Sequence, residues 1–128
     1  MKKESMNNSD LHFEHKQWRS ELSFWEDELK TFNNRLEELI KRWTDKNVLA
    51  QLEHFQNQFI RQGEVIDTLQ HHINVHETNM VTHDEKGENV INVNLAKHHV
   101  AFRDRMETQR KIYGDLKKDF YRFLPKFM

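Results

Sequence analysis

The chain is 128 residues long with a formal net charge of -1, three glycines, one proline and no cysteine, so it has the length of one domain and no thiol chemistry. Gly and Pro are scarce while Glu, Lys, Leu, Gln and Arg are abundant, a composition that selects helix over sheet and predicts an all-α fold. Nine Phe, three Trp and two Tyr argue against disorder, although 32% of the residues are charged and the mean hydropathy is -0.98.

The opening MKKESMNNSD has no apolar stretch behind its lysines and does not read as a secretory signal. No apolar run approaches the roughly 20 residues that span a bilayer, so no membrane partner is expected. With cysteine absent as well, a cytoplasmic location is the expectation.

The first periodic run is Leu11, His15, Trp18, Leu22, Trp25, Leu29, Phe32, Leu36, Leu39 and Trp43, an unbroken four-three alternation. Such spacing places one stripe along a helix and predicts helix over 10–44, with Asn8, Ser9 and Asp10 as candidate N-caps and 1–9 as a flexible segment. Continuing that stripe past Trp43 would bring Asn47, Ala50 and His54 to the core, so the chain is expected to turn at 44–47. A second stripe follows: Val48, Leu52, Phe55, Phe59, Gln62, Ile66, Leu69, Ile73, His76 and Met80, predicting helix over 47–80. The polar stretch 81–93 contains Gly87 and reads as a connection, its NVINV end a short extended segment. The third stripe is Leu95, His99, Phe102, Met106, Gln109, Tyr113, Leu116, Phe120, Phe123 and Phe127, predicting helix over 94–124, with Pro125 ending it.

Three helices of similar length, joined by a short turn and a modest loop, bury their stripes by folding up, down and up into an antiparallel, left-handed bundle over 10–128. Long thin helices with Trp18 on the seam inside EHKQWRSEL resemble the tryptophan-bearing first helix of spectrin repeats. That resemblance implies architecture alone.

In such a bundle the start of the first helix, the end of the second and the start of the third share one end. Counted from there, the layers are Leu11, Met80 and Leu95, then His15, His76 and His99, then Trp18, Ile73 and Phe102. Three imidazoles meeting on the axis resemble a zinc-type three-histidine shell with an open position, which needs metal–nitrogen distances of about 2.0–2.1 Å. Glu14 or Glu77 would be a fourth ligand or would orient an imidazole, and His72 flanks the layer one turn before His76. Two other readings stand beside it. One is a polar layer of histidines, trapped water and carboxylates that fixes helix register; the other is surface histidines under a slipped register. A second polar break brings Gln62 and Tyr113 to one layer with Gln109 nearby, and predicts an amide–phenol hydrogen-bond network. Gly63 and Gly114 at that level are expected to relieve crowding or mark a bend.

Several apolar residues lie off the stripes, among them Phe13, Phe24, Ile40, Leu49, Ile60, Val65, Ile112 and Tyr121. They widen the core or form a partner surface, and a homodimer or a protein partner is expected. Charge is unevenly placed: nine Lys and Arg against four Asp and Glu in 94–128, but six against nine in 10–45 and three against seven in 46–93. Complementary packing of a basic helix beside acidic ones explains this. The competing reading is a nucleic-acid face of Arg103, Arg105, Arg110, Lys111, Lys117, Lys118 and Arg122, against which the interspersed acids and the net charge both argue.

No Gly-rich phosphate loop or nucleophile motif is present, so the leading expectation is a non-enzymatic bundle acting through protein–protein or self-association surfaces. The alternative is a metal-binding sensor or store built on His15, His76 and His99. Nucleic-acid binding through the third helix comes third.

Overall fold

Asp45 separates the first two helices. Its Oδ1 accepts hydrogen bonds from the backbone N–H groups of Asn47 (2.9 Å) and Val48 (3.1 Å), capping donors that a helix start leaves without partners. The computed structural model describes residues 8–85 and 93–128, and in it three helices follow in order: α1 (Asn8–Arg42), α2 (Lys46–Glu85) and α3 (Val93–Phe127). There is no strand among the described residues, and no helix among them is long and apolar enough to cross a membrane.

The pairings establish direction. Phe59 meets Phe120 (ring centroids 4.9 Å apart) and His76 meets Phe102 (5.9 Å), so residue numbers rise on α2 as they fall on α3. Between α1 and α3 the ion pairs Glu14–Arg103, Glu21–Arg110 and Glu28–Lys117 repeat at a constant offset of 89 residues, which only parallel helices in register allow. The up-down-up bundle expected from the stripes is the fold.

Every buried side chain among the described residues lies on one of the three stripes. Leu22, Leu36, Leu39, Leu52, Ile66, Ile73, Met106 and Phe120 are wholly enclosed. At the end near the α1–α2 turn the core is aromatic: Phe32, Phe55, Phe59, Phe120 and Phe123 form one cluster. Burying a ring of this size stabilises the fold by about 1.5–3 kcal/mol. At the opposite end Leu11 and Met80 close the core with Leu95 and Ala96 against them.

The helix bounds differ from the expected 10–44, 47–80 and 94–124 by one to five residues. Helix α1 starts at Asn8, two residues before the expected bound, with Asp10 in its first turn, where an acid suits the positive end of the helix dipole. Residues 1–7 lie outside the described residues, as do Gly87 and all of NVINV except Val93. Helix α2 runs on to Glu85, because no Gly or Pro stands between Met80 and that point to stop it. Helix α3 passes through Pro125 to Phe127. Proline removes one backbone donor, but the last turn is anchored elsewhere: Trp43 Nε1 donates to the Phe127 carbonyl (2.8 Å), and the Phe127 ring lies 5.6 Å from Trp43 and 4.7 Å from Phe123.

The glycines also depart from expectation. A methyl group at Gly63 or Gly114 would have nothing within 4 Å apart from its own stretch of helix, so neither relieves crowding nor permits close approach. Replacing Gly63 by Ala should raise stability by about 0.5–1 kcal/mol through helix propensity. In contrast, Asp45→Ala should cost about 1 kcal/mol by removing the α2 cap. Thermal unfolding followed by circular dichroism checks both, with opposite shifts in Tm.

Candidate functional site

Near the free end of the bundle, α1, α2 and α3 contribute His15, His76 and His99 to one level. The His15 ring centre is 5.2 Å from that of His99 and 6.3 Å from that of His76. His15 and His99 are 2% and 1% exposed, while His76 is half-buried. The layer is thus the one suggested by the stripes, and its neighbours are as well: Leu11, Met80 and Leu95 lie on one side, and on the other the Trp18 ring packs 5.0 Å from His99 and 5.1 Å from Phe102.

Each buried histidine meets a carboxylate from another helix. His15 Nδ1–H donates to Glu77 Oε1 (2.7 Å), and Glu77 Oε2 accepts from His12, a more exposed residue one turn earlier on α1. His99 Nε2–H donates to Glu14 Oε1 (2.6 Å), and Arg103 clamps Glu14 through Nε (3.1 Å) and Nη2 (2.7 Å). Of the flanking residues named from sequence, Glu14 and Glu77 therefore sit behind the layer, one on each side. His72 does not join it: its Nδ1 accepts from Arg105 at the α2–α3 edge (2.8 Å).

Burial and neighbouring charge set the direction in which each group of the layer is shifted. Burial pushes His15 and His99 below the ordinary imidazole range, and the carboxylates that would favour their charged forms only partly oppose it. His76 is lowered by burial and by the neighbouring His15, His98, His99 and His72. Burial alone would raise Glu14 and Glu77, but hydrogen bonds from Arg103 and His99, and from His15 and His12, outweigh it and hold both below the usual carboxylate range. Neutral imidazoles donating to ionised carboxylates is the consistent state near neutral pH.

A cavity of about 10 Å³ lies at the layer, lined by Leu11, His15, His76, Met80, Leu95 and His99. That is the space of about one water molecule. Among the described residues no group of three or more His, Asp or Glu stands ready to hold a metal ion.

The second polar break is arranged differently from the expected amide–phenol network. Gln109 Nε2 donates to Gln62 Oε1 in the core, but the Tyr113 hydroxyl turns away and donates to Glu28 Oε1 (2.8 Å), whose other oxygen accepts from Lys117 (2.6 Å). An ionised carboxylate within reach outcompetes a neutral amide for a phenol donor. Glu28 belongs to a ladder at the α1–α3 edge: Glu14, Glu21 and Glu28, seven residues apart, face Arg103, Arg110 and Lys117. The ladder engages three of the seven basic residues assigned to the competing nucleic-acid face. The role of Arg103 escaped the sequence reading, though the signal was present as two seven-residue charge repeats flanking two stripes.

No protein-family model, no curated protein sequence and no solved structure matches this chain. Its chemistry therefore has to be read from these side chains.

The direction of acid sensitivity follows. Imidazoles held below their ordinary value of 6.5 bind fewer protons folded than unfolded, so stability is complete above about pH 6.5 and declines as pH falls through and below it. Glu14 and Glu77 add a further loss beneath about 4.5. Urea-unfolding midpoints measured from about pH 8 to about pH 5 should fall steadily below about pH 6.5; a flat profile would contradict the buried neutral layer.

Proposed function

We propose that the protein is a non-enzymatic helical bundle that works by association, pairing first with a second copy of itself through the α1–α3 face. The observation that carries this reading is the aromatic pair on that face: Phe24 is 58% exposed and Tyr121 49% exposed. The Lys117 ammonium lies between them, 5.7 Å from the Phe24 ring centre and 5.9 Å from that of Tyr121. Glu21–Arg110 and Glu28–Lys117 neutralise one another beside it, leaving aromatic area inside a paired-charge rim. Exposed aromatics within a polar rim have the composition of an interface centre.

The choice of a second copy rests on charge and shape. With a net charge of -1, two copies meet without long-range repulsion. Gly114 stands midway between Arg110 and Lys117, the level that Phe24 occupies between Glu21 and Glu28, and the space over it is open. An exposed ring and an uncovered glycine on one face suit two-fold pairing, in which each copy offers both. By comparison, the open depression of about 300 Å³ between α2 and α3 is lined by Val65, Leu69, Asp104, Arg105, Thr108 and Gln109, a set in which no hydrogen bond joins the Thr108 hydroxyl to the Asp104 carboxylate.

Sedimentation or light scattering at tens of micromolar should find a dimer, and Phe24→Asp should convert it to a monomer of unchanged helicity. A wild-type chain that is monomeric throughout that range rules out self-pairing.

A further inference from the structure

We propose that the His15, His76 and His99 layer is a binding site for one divalent transition-metal ion of the zinc type, held by three imidazoles with Glu14 and Glu77 orienting two of them. This goes beyond the association reading and does not depend on it.

The case begins with where the protons are. Glu77 takes the Nδ1–H of His15 and Glu14 takes the Nε2–H of His99, so the lone pairs lie on Nε2 of His15 and Nδ1 of His99. Both rings are almost fully buried, and no donor among the described residues reaches either nitrogen. Both rings, each with one nitrogen that no donor among the described residues reaches, line one small cavity together with His76. Something that accepts lone pairs fits there.

Geometry favours a cation. Two imidazoles on one tetrahedral ion, with metal–nitrogen distances of about 2.0–2.1 Å, hold their ring centres roughly 5 Å apart. His15 and His99 already stand at 5.2 Å. His76, the less buried ring, stands 6.3 Å from His15 and has to turn inward to complete the shell; as they stand the three are not a ready site. Behind the layer, each carboxylate fixes which nitrogen its histidine presents, the arrangement that raises ligand basicity in metal sites. Two carboxylates, one of them shared with Arg103, also supply negative charge toward a doubly charged ion. Three neutral imidazoles suit zinc, cobalt(II), nickel(II) or copper(II), with water in the remaining position.

The test uses the full chain without a histidine tag, titrated with zinc and with cobalt(II) at neutral pH. One equivalent should bind, raise Tm and, for cobalt, give the visible absorption of a four-coordinate ion. His76→Ala removes the least buried ligand and should abolish tight binding while circular dichroism shows the fold retained. Glu77→Gln should weaken binding about 10- to 100-fold, and His71→Ala, at an exposed position, should leave it unchanged. Absence of binding, or binding that survives His76→Ala, overturns the proposal, and the cavity is then a water site.

Discussion

All of the side chains buried among the described residues reach the core from a four-three stripe, so three stripes must face one another layer against layer along three helices. Slipping one helix by a layer would move every contact on it at once. Leu11 would leave Met80, Trp18 would leave Phe102, and the Glu14–Arg103, Glu21–Arg110 and Glu28–Lys117 pairs would break together. Apolar packing supplies most of the stability of this arrangement, whereas the charge ladder discriminates between registers. Exposed ion pairs contribute little each, but three at one offset add together against a slip of a single layer.

The two ends of the bundle solve the same packing problem with different chemistry. At the turn end, phenylalanine rings fill the axis and reach out to Trp43 and Phe127, tight enough to carry a helix through Pro125. At the other end, imidazoles replace apolar side chains, and each buried one needs a partner. Carboxylates on the facing helices provide these, with Arg103 holding Glu14 in turn. Buried polar groups satisfied across helices tie the layer to a single arrangement, at the cost of sensitivity to protonation. Charge state, cavity and spacing at this end are thus consequences of one substitution pattern, histidine for hydrophobe at matched depth on three helices.

Much of this was legible in the sequence because it depends on periodicity. A stripe of period 3.5 marks a helix and its buried face together, so the core membership of residues as far apart as Leu22, Phe59 and Phe120 could be read directly. A break near 44–47 was legible too, since it is where the first stripe fails, although the structure places it at 43–45. Helix ends were less so: nothing in the local pattern says that Phe127 will be held against Trp43, or that α2 continues to Glu85. Tyr113 and Gln62 share a level, as their numbers imply, but a level does not specify which donor wins a nearby carboxylate.

By itself, then, the sequence determined the helices, their buried faces and the alignment of His15, His76 and His99, because each follows from spacing along one chain. Only the tertiary structure decided which nitrogen of each buried ring is hydrogen-bonded, that Glu14 and Glu77 stand on either side of the layer, and that a cavity of about 10 Å³ lies between them. Those depend on side-chain directions across three helices. Spacing fixes the depth at which residues meet; the approach of one helix to another fixes what they do there.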